Sequence, residues 1–444
     1  MTRAQDIADR LISMVPPGIE AETMVATGNL ALTRFANSFI HQNVSEDGST
    51  VHLRVAVDGK VASGAGTRTD EHALRRLVGQ TVAVAELQSP DGSWSGLTAP
   101  VAIGGAPHWD EATAGADPAT RAQLVREFVA AGQGLSAAGF CSTEGWTIVY
   151  RNTAGHGAAS RTSKAVLDGI HQTGTSAGSG HRTSASVTDL DAAALGASAA
   201  RRANDSAAPF DTKPGGYEVV LGPEAVGTIA VFLAVYFFNG KAVNERRSAA
   251  AAGTAQFDEA ITLVEDACDP RAIGVPFDGE GTPRSRVELV TAGTTNGVTH
   301  DRKSAALADA VSTGNHMYGP NTWFGPIATN LFLRPGGASP DEMIAAVGRG
   351  LYVATFNYCR VLDEKTLVVT GLTRNGTFMI ENGRITDAVS NLRFTQGFAD
   401  ALGPGRVLDV GGDDRFADSE FGSGVTHVPT VRLASWNFTG GASG

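Results

Sequence analysis

The sequence predicts an α+β protein: an N-terminal domain of mixed α/β character over residues 1–210, then a mainly antiparallel β domain with a few helices over residues 211–444. Three observations carry this expectation. Helical and strand periods alternate through the first half. Beyond it, runs rich in β-branched and aromatic residues dominate. Between the two lies "AAPFDTKPGG", a Pro/Gly-punctuated stretch of the kind that marks a boundary near residue 211.

The opening residues 2–15 read as an amphipathic helix, with Thr2 and Gln5 spaced as a capping box and Leu11, Ile12 and Val15 extending the apolar face from Ala8. "VHLRVAVDGKVASGAG" then alternates Val51, Leu53, Val55 and Val57 before Asp58-Gly59, a pair suited to a two-residue hairpin. Helical spacing returns at Leu74, Leu77, Val78 and Val82, capped by Thr69 or Asp70, and again at Leu124, Val125, Phe128 and Val129. A further helix over 188–206 opens with Thr188 and Asp191, and its alanines suit tight packing or a link between domains. Beyond it "YEVVLG", "SRVELVTAG", "LYVATFNYCRVL" and "KTLVVTGL" read as strands, and Asn382-Gly383 as a hairpin turn. "SPDEMIAAVGRG", with Ser339 and Glu342 as capping pair, reads as a helix.

One segment stands apart. From Val226 to Phe238, ending in "VFLAVYFF", no residue is charged, yet Glu224 and Asn239 bound the run. Spanning a bilayer takes roughly 20 apolar residues, so this run is too short. The N-terminus, with Thr2, Gln5, Asp6 and Asp9, lacks a signal-peptide pattern, and the expectation is a cytoplasmic protein with no membrane segment. The net charge is −11, from 35 basic and 46 acidic residues, and the basic clusters are no longer than Arg201-Arg202 and Arg246-Arg247. Nucleic-acid binding by phosphate neutralisation is therefore not expected. Cys141, Cys268 and Cys359 are far apart and odd in number, which predicts three buried thiols rather than disulfides or a CxxC metal site.

Candidate chemistry is sparse. No two histidines share the i, i+4 spacing of a helical metal site, and a lone histidine is more often structural. His41, His316 and His427 lie in polar, turn-rich surroundings where binding is conceivable. There is no GxSxG elbow, and "GHGAAS", "GTSAGSG" and "GGDDRFADSEFGSG" lack the order of a phosphate loop and read as flexible loops. In "VPFDGEG", Asp278 and Glu280 form a carboxylate pair able to serve acid/base work, or to cap backbone amides. Cys359 falls at a strand position and reads as packed.

"RFANSFIHQN", "VPFDGEGTP", "HDRKSA", "GLYVATF" and "GLTRNGTFMIENGRITDAVSNLRFTQ" together resemble the TldD/PmbA family, first described as modulators of DNA gyrase and then as zinc peptidases. The matches run from the first hairpin to near the C-terminus, and the last is the most specific. The resemblance implies two kinds of subunit. TldD-like chains carry HExxxH on a helix after a "VLGP"-like strand end, and a cysteine near the C-terminus completes the zinc site. PmbA chains, also called TldE, lack these ligands and pair with them. Counted from Val220-Leu221-Gly222-Pro223, the HExxxH histidine positions fall on Val231 and Tyr236, the glutamate on Phe232 and, counted back from Val428-Pro429, the cysteine on Phe421.

The resemblance thus implies a TldE/PmbA-like chain that holds no zinc itself, with zinc in a TldD-like, HExxxH-bearing partner, in a heterodimer or an assembly of such pairs. Its substrates would be short or unfolded peptides or a peptide natural-product precursor. Phe277, Asp278, Glu280, Arg374 and Asn375 are the candidates for substrate or partner contact. Two other readings stay open. One is a zinc-independent hydrolase using Cys359, His316 or the Asp278/Glu280 pair; the other is a stand-alone protein-binding regulator.

Overall fold

The computed structural model describes residues 2–441. Its first part runs α1 (Arg3–Ser13), β1 (Glu20–Ala36), β2 (Phe39–Val57), β3 (Lys60–Gly66), α2 (Glu71–Glu86), α3 (Glu111–Ala114), α4 (Pro118–Ala131), β4 (Ser136–Asn152), β5 (Gly157–Gln172), β6 (Ala177–Ser184) and α5 (Ala192–Asp205). The six strands form one antiparallel sheet in the order β3-β2-β1-β4-β5-β6.

Local chemistry sets the boundaries. Thr2 and Gln5 cap α1 reciprocally, Asp70 caps α2 through the Ala73 amide, and Asp191 caps α5 through that of Ala194. Thr188 instead sits in a short 3-10 turn, Val187–Asp189. Asp58 and Gly59, with φ of 50° and 76°, make the two-residue turn from β2 to β3. Ile7 and Leu11 of α1 and Leu74 and Val78 of α2 bury against Val25, Leu53 and Val55. Val125 and Phe128 of α4 and Ala199 of α5 bury against Phe35, Cys141 and Leu167.

The second part contains β7 (Gly215–Leu221), α6 (Pro223–Phe232), α7 (Gly240–Asn244), β8 (Thr254–Ala255), β9 (Leu263–Glu265), β10 (Val287–Thr291), β11 (Thr294–Thr295), α8 (Arg302–Leu307), β12 (Leu331–Leu333) and α9 (Pro340–Ala345). There follow β13 (Arg349–Asp363), β14 (Val368–Glu381), β15 (Arg384–Ala388), β16 (Leu392–Gly397), α10 (Phe398–Ala401), β17 (Val407–Val410), β18 (Arg415–Phe416), β19 (Thr426–Val428) and β20 (Val431–Gly441). One sheet has the order β13-β7-β20-β16-β14-β15, and pairing of β13 with β14 closes it into a barrel-like ring. The other has the order β18-β19-β12-β9-β10-β11-β8. Pairing is antiparallel except for β13 with β7 and β12 with β19. The fold is α+β.

The apolar run from Val226 to Phe238 is the centre of this second part. It forms α6 and, after Phe232, one π-helical turn over Leu233–Phe237, in which the Phe238 amide donates to the Leu233 carbonyl at 2.8 Å. Every residue of the run is buried except Tyr236, which is half-buried. Ile229, Phe232 and Leu233 pack in one cluster with Leu351, Phe394 and Trp436. Among the described residues no helix is long and apolar enough to cross a membrane.

Three expectations need correction. Cys268 is exposed, whereas Cys141 and Cys359 are buried, because Cys268 lies in a loop beyond β9 rather than on a strand face. "GHGAAS" runs into β5 and "GTSAGSG" into β6, so these segments are partly strand. Their glycines mark close packing: a Cβ on Gly178 would fall 2.2 Å from the Ala199 carbonyl of α5. In "GGDDRFADSEFGSG", Arg415 and Phe416 form β18.

Candidate functional site

The "VPFDGEG" turn lies against the six-stranded sheet. Phe277 is buried with Met24, Ala26, Ile148 and Tyr150 from that sheet. Gly281 takes φ +69° beside the same surface, where a Cβ would fall 2.3 Å from the Tyr150 ring, so only glycine fits. Asp278 and Glu280 are thereby carried into the interior, 4% and 3% exposed.

Burial of two carboxylates demands partners. Asp278 accepts from the amides of Glu280 and Thr282, each at 2.9 Å, and of His316 at 2.8 Å. Glu280 receives Arg54 Nη2 at 2.8 Å and the Arg302 amide at 2.9 Å. Arg54 also pairs with Glu22, whose other oxygen accepts from the Tyr150 hydroxyl at 2.7 Å. His316 Nδ1 stands 3.7 Å from Glu280 and 3.5 Å from Asp301, the residue that caps α8. His316, unpartnered to a reader of the sequence, is thus enclosed by carboxylates from two distant segments.

These neighbours set the charge states. Burial, then the Glu280 charge, pushes Asp278 up to about 7. Burial alone would also raise Glu280, but His316 and then Arg54 outweigh it and hold that carboxyl below its usual value. Burial would lower His316, yet Glu280 and the hydrogen bond to Asp301 raise it. The cluster borders a cavity of about 310 Å³ whose lining includes Glu22, Arg54 and His316. Asp278 and Glu280 spend their lone pairs on the fold and Arg54 is committed to Glu22 and Glu280, so His316, which lines the cavity, is the group of the cluster left to meet a ligand there.

Arg374 and Asn375 are not part of this cluster. They lie on β14 in the barrel-like sheet, at a bulge where Val353 pairs with Thr377 and Thr355 with Arg374. Asn375 takes φ 54° there, and Arg374 is exposed. Cys359 is packed, and burial and the Glu420 carboxylate push its thiol up, away from the thiolate a nucleophile needs. His41 is exposed on β2.

The second site is α6. Tyr236 and Phe421 both rest on Phe232, with ring centroids 5.8 and 5.2 Å away, and Val231 is the residue before it. The positions matched to zinc ligands therefore gather in one place as a methyl-bearing chain, a phenol and a phenyl ring. This donor set does not fit zinc, which takes thiolate, imidazole or carboxylate. Burial, then the Glu364 carboxylate, raises the Tyr236 phenol further from ionisation.

Beside the start of α6 lies a charged group that local sequence patterns did not signal. Glu224, 8% exposed, is held by Arg415 Nη2 at 2.8 and 2.9 Å. Burial would raise its carboxyl, but Arg415, Arg202 and His181 outweigh that and lower it. Asp168, His181 and Asp418 place one potential metal-ligand atom each within 4.8 Å of the others. Both His181 nitrogens are already engaged, Nδ1 with Asp168 at 3.0 Å and Nε2 with the Thr183 hydroxyl at 2.9 Å, so the trio reads as an ion-pair cluster. Asp168 and His181 sit directly opposite on β5 and β6, and hairpin register is the signal that could have paired them.

The architecture is thus a barrel-like β domain with a buried apolar helix, joined to a six-stranded sheet. The comparisons make the class specific. The family described as "PmbA/TldA metallopeptidase C-terminal domain" matches residues 214–440, just over half of the 444-residue chain. The chain belongs to the PmbA/TldD family. Metalloprotease MJ0996 of Methanocaldococcus jannaschii is 27% identical over 156 residues, which is 34% of this chain and 32% of that protein. The match therefore spans about a third of that relative. Two solved structures share the whole fold. A protein described as a modulator of a DNA gyrase from Thermotoga maritima superposes with TM-score 0.85 at 16% identity, covering 98% of this chain and 100% of that one. TldE from Thermococcus kodakarensis superposes with TM-score 0.83 at 16% identity, covering 98% and 99%.

Proposed function

We propose that this chain is the TldE/PmbA-like, non-catalytic subunit of a two-chain zinc peptidase. A TldD-like partner carrying HExxxH supplies the zinc, and this chain completes the cleft that admits short or unfolded peptides or the precursor of a peptide natural product. The observation that carries this reading is the aromatic cluster of Phe232, Tyr236 and Phe421 at the end of α6, with Val231, also no zinc ligand, next to Phe232 in the chain. With no zinc-coordinating side chain at those positions, α6 offers no metal-activated water, and the chain contributes to hydrolysis by association.

A route for the peptide is open on the first sheet. β3 pairs with β2 alone, which leaves its other edge available for strand addition. Ser63, Gly64 and Ala65 of β3 border the same cavity as Arg54 and His316, so a peptide on that edge passes both side chains. The buried thiol of Cys359 and the fully bonded Asp278/Glu280 pair speak against the alternative of a zinc-independent hydrolase.

Co-expression with an HExxxH-bearing chain of the family tests the proposal. The expected result is one complex on size exclusion, with zinc bound by the partner and activity that requires both chains and vanishes when the partner's HExxxH glutamate is replaced by glutamine. Separate elution, with the partner alone cleaving peptide at the full rate, would overturn it.

A further inference from the structure

A cavity of about 600 Å³ lies apart from the Asp278 cluster and shares Arg415 with the charged group at the start of α6. It opens where β6 and the loop before α3 face the loop after β9, together with β18 and β19; its size is in the range of small-ligand sites, about 300–1,000 Å³. Its charges are almost all spoken for. Arg271 is held by Asp269 and Asp414, and Arg415 by Glu224. Asp110 caps α3, and Asp189 accepts from the Ser184 hydroxyl. Arg182 is the exception: among the described residues its guanidinium has no carboxylate or other acceptor, although it lines the cavity.

A second, independent observation lies opposite. His427 is 8% exposed and packs between Phe332 and Phe416, and its Nδ1 makes no hydrogen bond although Asp414 is 3.1 Å away. Burial keeps this imidazole neutral, with its pKa lowered to about 4, and Arg271 and Arg182 add to that against the pull of Asp414 and Asp269. This neutral imidazole forms part of the cavity wall, with its Nδ1 buried against Asp414. Trp109 supplies an apolar wall, and its indole N–H is likewise unbonded.

We infer that this cavity binds a monocarboxylate with an apolar body, such as the free C-terminal end of a short peptide, with Arg182 taking the carboxylate and the Trp109 side taking the body. One uncommitted positive charge, with Asp414 and Asp189 close by, matches a single negative charge rather than a phosphate dianion. A guanidinium fork also suits the planar carboxylate. The inference concerns this chain alone and does not rest on the two-chain reading.

Titration calorimetry of the full chain tests it with three probes: acetyl-Ala-Ala-Phe as the free acid, the same tripeptide as its C-terminal amide, and inorganic phosphate. The free acid should bind, the amide at least about tenfold more weakly, and phosphate should not compete. Arg182→Gln should weaken the acid by about tenfold or more while leaving the melting temperature unchanged, since Arg182 supports no ion pair. Cys268, the exposed thiol that lines this cavity, gives a separate readout: its alkylation should slow with the acid and not with the amide. Equal binding of acid and amide, unchanged binding in Arg182→Gln, competition by phosphate, or no binding of the free acid would each overturn the inference.

Discussion

The helix α6 and the Asp278–Gly281 turn are buried to a similar depth by opposite chemistry. Along α6 beyond the Glu224–Arg415 pair at its start, hydrocarbon meets hydrocarbon, and the core there needs no particular partner for any one apolar side chain. Around Asp278, each oxygen has a named donor: amides of the same turn for one, the distant His316 amide for the other, and Arg54 for the neighbouring Glu280. The difference teaches where specificity lives. Apolar burial supplies stability that many volume-conserving substitutions would keep, whereas the charged cluster fixes one arrangement of sheet and loops because any other leaves a carboxylate unpaired.

Placing a charge in the apolar region should give the largest effect. Phe232→Asp puts a carboxylate among Phe398, Phe421 and Tyr236 and should cost roughly 4 kcal/mol or more in chemical denaturation. An unchanged midpoint would mean that this segment is not core at all. Removing a charge from the polar region comes next. Arg54→Met strands Glu22 and Glu280 and should cost about 3 kcal/mol, with part of the loss recovered when Glu280→Gln is added. Full additivity of the two substitutions would break the picture of a coupled cluster.

The polar region should also respond to pH, and the apolar one should not. His316 titrates above the usual 6.5 in the fold, so it contributes stability that is fully present below 6.5 and is lost as pH rises through the folded value. Asp278, raised from 3.8 to about 7, acts in the same direction, and its contribution is lost as pH rises through about 7. The melting temperature should therefore fall as pH rises from about 4 through about 7 and on through the raised His316 value, and His316→Gln should flatten the part above 6.5. A slope unchanged by the substitution would remove His316 from the linkage. Arg374→Ala should do least, within about 0.5 kcal/mol, because the side chain is exposed and bears no ion pair among the described residues. A larger loss would show that the β14 bulge is part of the structural network rather than a surface free for contact.

What the sequence disclosed was local. Thr2 with Gln5, Asp58-Gly59, Asn382-Gly383 and Ser339 with Glu342 act within a few residues, and each formed the cap or turn its chemistry dictates. The apolar run around Phe232 was equally plain, because nothing but burial explains it. The charged cluster was only half visible. Asp278, Glu280 and His316 were singled out, but Arg54 meets Glu280 across 226 positions, and Glu224 meets Arg415 across 191. Such pairings depend on how sheets dock, which local periodicity does not encode. The exposure of Cys268 was missed for a related reason: its loop forms part of a cavity wall between segments far apart in the chain.

The π-turn after Phe232 fixes a count as well as a shape. Inserting one residue into Leu233–Phe237 would exceed what the wide turn absorbs and swing everything downstream by about 100°. Asn239 would lose most. Its side chain donates to the carbonyls of Val235 at 3.0 Å and Phe324 at 2.8 Å, and it accepts from the amides that open α7. Here the number of residues matters more than their identity: an exchange of one apolar side chain for another is absorbed by repacking, but a shift of frame would uncouple the helix from the loop that follows it.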